Sequence, residues 1–405
     1  MAEQEELFAD PAQIFTPTAP IDERSLFKGR HNQIKQVIRA ISQKGQHAIL
    51  FGERGVGKTS LANVISSFLQ GPHQPGNILS PRVNCDSLDT FESIWTKALD
   101  EIWMHRKMRR AGFGPDSDTS YSSTELLAGT VTPDSVRRAL TIISANALPI
   151  LIIDEFDRLP KDVKRGVADT IKTLSDHAVP ATVVLVGVAD SVGELIEEHE
   201  SVERALVQVH MPRMSYREIE EIIQTGLARL NLEIMPSALQ RICTLAQGLP
   251  HYAHLIGLEA ATIALERQSQ AIDLELMSAA IKLAIDASQE SVKRTWHQAI
   301  SSPRKDNLFA DVLLACALAQ TDDLGYFAAQ DVRAPLSDIL DRNVEIANYA
   351  QHLSDFCDEK RGPVLQRIGE KRRFRFRFKN PLMQPFVVMQ GFSKGKISEN
   401  LLESV

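Results

Sequence analysis

Cysteine is scarce in this chain: Cys85, Cys243, Cys316 and Cys357 are the four thiols in 405 residues. They lie far apart, with no C-x-x-C pair and no histidine spaced to complete a zinc set, so a disulfide scaffold and a structural zinc are both set aside. They read as reduced core residues. Long apolar runs are also missing. The run over residues 311–319 falls well short of the ~18 to 20 residues that span a bilayer. The start, Met1-Ala2-Glu3-Gln4-Glu5-Glu6, is acidic where a secretory signal needs a basic segment followed by an apolar one. The expectation is a cytoplasmic protein with no membrane partner. Positive charge is not in excess either: 45 Lys and Arg against 52 Asp and Glu leave −7, which argues against a surface coated with cations for binding polyanions. What is present is ordinary globular composition, 43% hydrophobic and 24% charged, in a chain long enough for two to three domains.

Residues 1–24 hold Pro11, Pro17 and Pro20 among acidic and small residues and read as an arm or strap rather than a packed element. From there the pattern alternates. His47-Ala48-Ile49-Leu50-Phe51 is an apolar run too short for a helix and ends in glycine, so it reads as a buried strand. Three similar runs follow at 81–85, 149–154 and 181–187, and a fifth at 206–211, with helical stretches between them. Strands alternating with helices predict a parallel five-stranded sheet covered on both faces. The stretch 112–124, rich in Gly, Ser, Asp and Pro, predicts a mobile loop, led into by the basic cluster Arg106, Lys107, Arg109 and Arg110. That cluster reads either as a DNA contact or as cations on a solvated helix end. From 215 to 290 four amphipathic segments and no strand predict a small helical bundle. After 291, three helices precede two short strands, 364–368 and 373–378, joined by a tight basic turn, which suggests a winged helix.

The first strand runs into Gly52-Glu53-Arg54-Gly55-Val56-Gly57-Lys58-Thr59-Ser60 and then a helical Leu61-Ala62-Asn63-Val64. This is G-x-x-x-x-G-K-T in its strand–loop–helix context. Its glycines let backbone N–H groups point inward around a β-phosphate, and the helix N-terminus adds partial positive charge there. Lys58 would reach the β- and γ-phosphates and the Thr59 hydroxyl would ligate Mg²⁺, so ATP and Mg²⁺ are the expected cofactors. Such a loop needs a metal-organising group at the end of a neighbouring strand. Ile150-Leu151-Ile152-Ile153-Asp154-Glu155 supplies Asp154 for Mg²⁺, through water, and Glu155 to polarise the attacking water; the pair could instead cap the next helix.

Asp-Glu after the strand, a helical bundle beyond the sheet and a trailing winged helix together resemble the AAA+ ATPases, particularly the origin-recognition/initiator clade and its bacterial and STAND-like relatives. The resemblance implies an α/β P-loop NTPase core at 25–214, a helical lid at 215–290, a winged-helix domain at 291–392 and a tail at 393–405. It implies that Phe27, Gly29 and Arg30, in Leu26-Phe27-Lys28-Gly29-Arg30, surround the adenine. It places a polar sensor at the end of the fourth strand, where this chain departs from the usual Asn, Ser or Thr and offers Asp190, with Ser191 beside it. It places an arginine finger, acting in trans in a homo-oligomer, at Arg204; the alternative is a solvated ion pair with Glu203 or Glu200. In Gln247-Gly248-Leu249-Pro250-His251 the Gly-Leu-Pro form resembles the motif of STAND signalling ATPases and puts His251 at a second sensor position. Gly248 as helix stop and Pro250 in the first turn of the next helix is the plainer reading.

Residues 360–379 concentrate what net charge conceals: nine basic residues against the single acid Glu370, so the other 385 residues carry −15. In Arg373-Phe374-Arg375-Phe376-Arg377-Phe378 the period is two, which sets phenylalanines on one face of a strand and cations on the other. With Arg367, Lys371 and Arg372 these cations form a candidate DNA-phosphate contact; a solvated, aggregation-resistant edge strand is the alternative. The helix before it offers Asn348, Gln351 and His352 among acids, a pattern for backbone contact rather than base reading. Two functions follow: a DNA-engaging, self-assembling ATPase, or a STAND-like switch that recruits a protein effector, for instance in bacterial antiviral defence.

Overall fold

The computed structural model describes residues 10–21, 25–69, 77–108, 117–127, 129–190, 192–196, 200–303, 307–322, 324–370 and 373–397. The expectations attached to Arg109, Arg110, Ser191, Lys371 and Arg372 lie outside these residues. The chain divides into two compact units, one of residues 21–52 and 58–211, the other of residues 1–20, 53–57 and 212–405.

The first unit is built on a parallel sheet. From one edge, strand Leu206–His210 pairs with His47–Gly52, which pairs with Thr182–Val188, which pairs with Ala147–Asp154. Two short strands, Asn77–Leu79 and Arg82–Asn84, share the far edge along Ala147–Asp154. The second strand read from sequence, 81–85, is found as Arg82–Asn84, and Asn77–Leu79 is an additional strand before it, separated by Ser80-Pro81. Proline has no N–H to give to a ladder, although its carbonyl accepts from Ile152 N at 2.9 Å. Ala48 lies beside Val184 on one side and Val207 on the other. Every residue of His47–Gly52 is buried, which is why that strand is continuously apolar rather than alternating. Helices Phe91–Asp100 and Pro133–Ile143 are started by capping boxes at Thr90 and Thr132. They help bury Trp95, Leu140, Phe156 and Ile171 in one core with the strands. Each such side chain withdrawn from water contributes ~1.5–3 kcal/mol.

Part of the expected loop at 112–124 is strand. Trp103–Met108 pairs antiparallel with Ser117–Ser122, Trp103 opposite Ser122, so Arg106 and Lys107 sit on a hairpin instead of a helix end. Polar Ser, Thr and Tyr residues satisfy a pleated edge as readily as a loop, and composition does not separate the two.

In the second unit, helices Tyr216–Arg229, Pro236–Leu245, Pro250–Glu266 and Leu274–Ala287 form the expected bundle, but with a short parallel strand pair, Glu233–Ile234 and Ala271–Ile272, where no strand was expected, since two residues a side are too few to show a period. Beyond it come Glu290–Ile300, Phe309–Leu318, Arg333–Leu340 and Ile346–Asp355, then an antiparallel sheet ordered Phe327–Ala328, Arg375–Phe378, Leu365–Ile368, and a last helix Met383–Ser393. Phe376 and Phe378 are buried, as the period of two requires. The N-terminal stretch is a packed element here, not a loose arm. Pro11–Ile14 is one helical turn capped by Asp10, and Phe15 is 1% exposed. Its ring occupies the space that Gly226 and Gly257 leave by lacking Cβ atoms, edge-on to His254 at 6.0 Å.

Candidate functional site

The loop after His47–Gly52 is shaped by glycines: Gly52, Gly55 and Gly57 have φ of 148°, 87° and 92°, conformations that side chains strain. Helix Lys58–Leu69 begins at Lys58 itself, whose buried ammonium donates to the Gly52 carbonyl at 3.0 Å. The Thr59 hydroxyl donates to Asp154 Oδ2 at 2.8 Å, and Asp154 is 3% exposed at the tip of its strand. The structure therefore brings Gly52, Lys58, Thr59 and Asp154 into one network across 95 residues of sequence. A threonine hydroxyl held on a buried carboxylate, a lysine folded against the loop and glycines at positive φ fit a Mg²⁺-bound phosphate chain.

Arg82 belongs to this network and carried no sequence signal. Its Nη2 donates to Asp154 Oδ2 at 2.9 Å and its Nη1 to Asn63 Oδ1, on the loop's own helix, at 2.7 Å. Glu155 points elsewhere. Its backbone is left-handed, φ 55°, and its half-exposed carboxylate accepts from Arg158 Nη1 at 2.6 Å. It does not cap the following turn through its side chain. Asp157, in the turn Phe156–Arg158 that follows, accepts from Val188 N at 2.8 Å and fixes the end of the fourth strand. That strand stops at Val188, and Asp190, on the turn beyond it, donates its backbone N–H to Glu194.

Phe27 is buried edge-on to Phe68, and Gly29 and Arg30 follow at φ of 70° and 61°. Arg30 is 2% exposed at the N-cap of helix His31–Ile41. Val56 is fully buried, and Ser60 Oγ accepts from Ile21 N. Arg204 is exposed and forms no ion pair among the described residues, while its carbonyl accepts from Gln46.

In the second unit Glu53 is held by Arg213, Nε to Oε2 at 2.8 Å, and Arg213 Nη1 reaches Gln384 Oε1 at 2.7 Å. Arg213 lies between a strand and a helix cap and carries no motif. His251 is engaged with the N-terminal segment: its Nδ1 lies 2.7 Å from the Pro17 carbonyl and therefore carries the proton. Burial holds its pKa below the usual imidazole value, the Pro17 bond opposing that shift.

The cationic face of the basic hairpin is partly occupied from within. Arg375 Nη1 pairs with Asp322 at 2.9 Å, Arg377 stacks on Tyr326 at 4.5 Å and Arg367 on Phe374 at 4.4 Å, while Arg373 is exposed. The strand pattern alone leaves polyanions or solvent to screen these charges; one carboxylate and two ring faces do part of it. Of the candidate base readers, Gln351 donates to Asp355 and His352 packs on Phe309.

This sheet order, with a glycine loop after the central strand and a carboxylate on the next strand but one, defines a P-loop NTPase of the AAA+ fold, followed in the chain by helical parts. Two solved structures share the fold. The ORC2 protein of Aeropyrum pernix, determined as ADPNP–ADP complexes, superposes with a TM-score of 0.53 at 14% identity over 98% of both chains. A Walker-type ATPase of Pyrococcus abyssi gives 0.51 at 15% identity over 91% of this chain and 98% of that one. The family model described as Novel STAND NTPase 1 matches residues 20–337, and the chain belongs to that family. No curated protein matches its sequence. Among the described residues no helix is long and apolar enough to cross a membrane.

Proposed function

We propose that this chain is an ATP-operated switch of the STAND type that binds ATP with Mg²⁺, hydrolyses it slowly, assembles into homo-oligomers in the ATP form and recruits a protein effector in the cytoplasm, as in bacterial antiviral defence. The observation that carries the reading is the Lys58–Gly52 and Thr59–Asp154 pair of contacts at the head of the glycine loop. Mg²⁺, when bound, would supply positive charge that offsets the charge of the phosphates. The loop N–H groups and Lys58 bind and orient the β- and γ-phosphates, and Thr59 and Asp154 hold the metal's position. Phe27, Gly29 and Arg30 close around the base.

Hydrolysis needs Glu155 to leave Arg158, after which its carboxylate takes the proton of the attacking water as ATP and water give ADP and phosphate. Asp190 or Ser191 orients that water. Arg204, exposed and without an ion pair among the described residues, is suited to reach a neighbouring copy's γ-phosphate. The Glu155–Arg158 pair supports slow turnover, because the base begins engaged. Turnover of wild type, Lys58→Ala and Glu155→Gln tests this. Both substitutions should abolish hydrolysis, and turnover indifferent to both would reject the site.

A second reading, engagement of DNA phosphates through a winged helix, rests on the charge of residues 360–379 and on exposed Arg373. Arg367, Lys371, Arg372, Arg375 and Arg377 complete that surface. The internal partners of Arg375 and Arg377 favour the switch over DNA as the principal output.

A further inference from the structure

Arg82 sits where strand register delivers it to the metal carboxylate. It pairs with Ile152 in a parallel ladder, so Asp154, two residues on, presents its side chain on the same face about 6.6 Å further along. An arginine side chain spans that gap. Asp154 Oδ2 then accepts from two donors at once, Thr59 Oγ1 at 2.8 Å and Arg82 Nη2 at 2.9 Å, while Oδ1 accepts from Glu155 N at 2.8 Å. The guanidinium is itself anchored by Asn63, while among the described residues its buried Nε has no hydrogen-bond partner. A carboxylate that is nearly inaccessible and already neutralised by a fixed cation has little need of a second one.

We propose that Arg82 is a positioning residue that acts as the resident counter-cation of Asp154, so that the site holds a nucleoside di- or triphosphate nearly as well without divalent metal as with it. The inference rests on the nucleotide-site reading above. Metal and guanidinium draw on the same carboxylate oxygen, so each weakens the other's hold. Removing the guanidinium leaves a buried carboxylate whose other hydrogen-bond donors, Thr59 Oγ1 and Glu155 N, are neutral, so that it relies more on the divalent ion for compensating charge. Nucleotide binding and metal binding, only weakly linked in the wild type, become strongly linked in its absence.

The test is titration of the full chain with a fluorescent ADP analogue, in EDTA and in excess Mg²⁺. Wild type should show dissociation constants within about threefold of each other, whereas Arg82→Gln should bind about tenfold more weakly in EDTA than in Mg²⁺, a difference of ~1.4 kcal/mol. Arg82→Lys, which keeps the charge but loses the fork, should restore most of the metal-free binding. Equal metal dependence in wild type and Arg82→Gln would overturn the assignment of Arg82 while leaving the nucleotide site intact. A wild-type ratio above about thirtyfold would overturn it without any variant, should Arg82→Gln fail to fold. No binding to wild type in either buffer would remove the nucleotide site itself, and this inference with it.

Discussion

The docking of residues 10–20 on the helical unit should be removable by one substitution and by acid, through independent parts of the same contact. Phe15 is 1% exposed, and truncating a core phenylalanine to alanine costs ~3–5 kcal/mol. The lower figure applies here, because a terminal segment can lift off instead of leaving a rigid cavity, so Phe15→Ala should raise the undocked population by about 100-fold at ~3 kcal/mol. The acid limb rests on His254. Its Nδ1 accepts from Thr16 N at 3.2 Å, so the ring is neutral when the segment is docked. Burial first, and neighbouring His251 second, push its pKa down from 6.5 to about 4. Because the docked value is depressed, the share of the shift that docking causes stabilises the docked form fully above about pH 6.5 and is lost as pH falls toward 4, at most about 3 kcal/mol at ~1.36 kcal/mol per pH unit. Burial also lowers His47 to about 4, in the other unit, so melting curves would mix the two. Amide hydrogen exchange read at Thr16 separates them. It should accelerate about 100-fold in Phe15→Ala at neutral pH. Exchange at Thr16 that stays within about threefold of wild type in Phe15→Ala would refute the packing argument.

Gly52→Ala sets a side chain at φ 148° and drives its Cβ into the Met211 carbonyl oxygen; about 2 kcal/mol of stability should be lost in urea denaturation, and a loss under about 0.5 would mean that the strand end yields more easily than its hydrogen bonds suggest. Asp322→Asn releases Arg375, so if the hairpin contacts DNA its affinity at low salt should rise by a few-fold. The combined Arg373, Arg375 and Arg377→Gln variant should then reduce the salt dependence by about 0.9 for each phosphate it no longer neutralises. Absence of DNA binding at low salt in all of these would leave the hairpin as a protein-facing or purely structural element.

The glycine loop, Lys58, Thr59 and Asp154 were legible in the sequence because each requirement is local: positive φ demands glycine, and a buried strand demands an apolar run ending at the carboxylate. Phe376 and Phe378 followed from a period of two for the same reason. Arg82 and Arg213 were not legible. Arg82 acts through the register of two strands 70 residues apart, and Arg213 through contacts of a connecting segment with the loop residue Glu53 and the distant helix residue Gln384, neither of which leaves a mark on neighbouring residues. The N-terminal segment was misread because its binding site consists of absent atoms, the missing Cβ groups of Gly226 and Gly257. The partners of Arg375 and Arg377 were missed because Asp322 and Tyr326 come from a turn some 50 residues earlier, brought alongside by the strand Phe327–Ala328.

Stabilisation by ATP with Mg²⁺ tests the nucleotide assignment most directly. A ligand at 100 times its dissociation constant adds ~2.7 kcal/mol to a protein that binds it only when folded. Thermal unfolding of the wild-type chain should therefore move up by several degrees with saturating ATP and Mg²⁺, and that of Lys58→Ala should not move. An equal shift in both proteins, or none in the wild type, would contradict the placement of the nucleotide on the loop from Gly52 to Ser60.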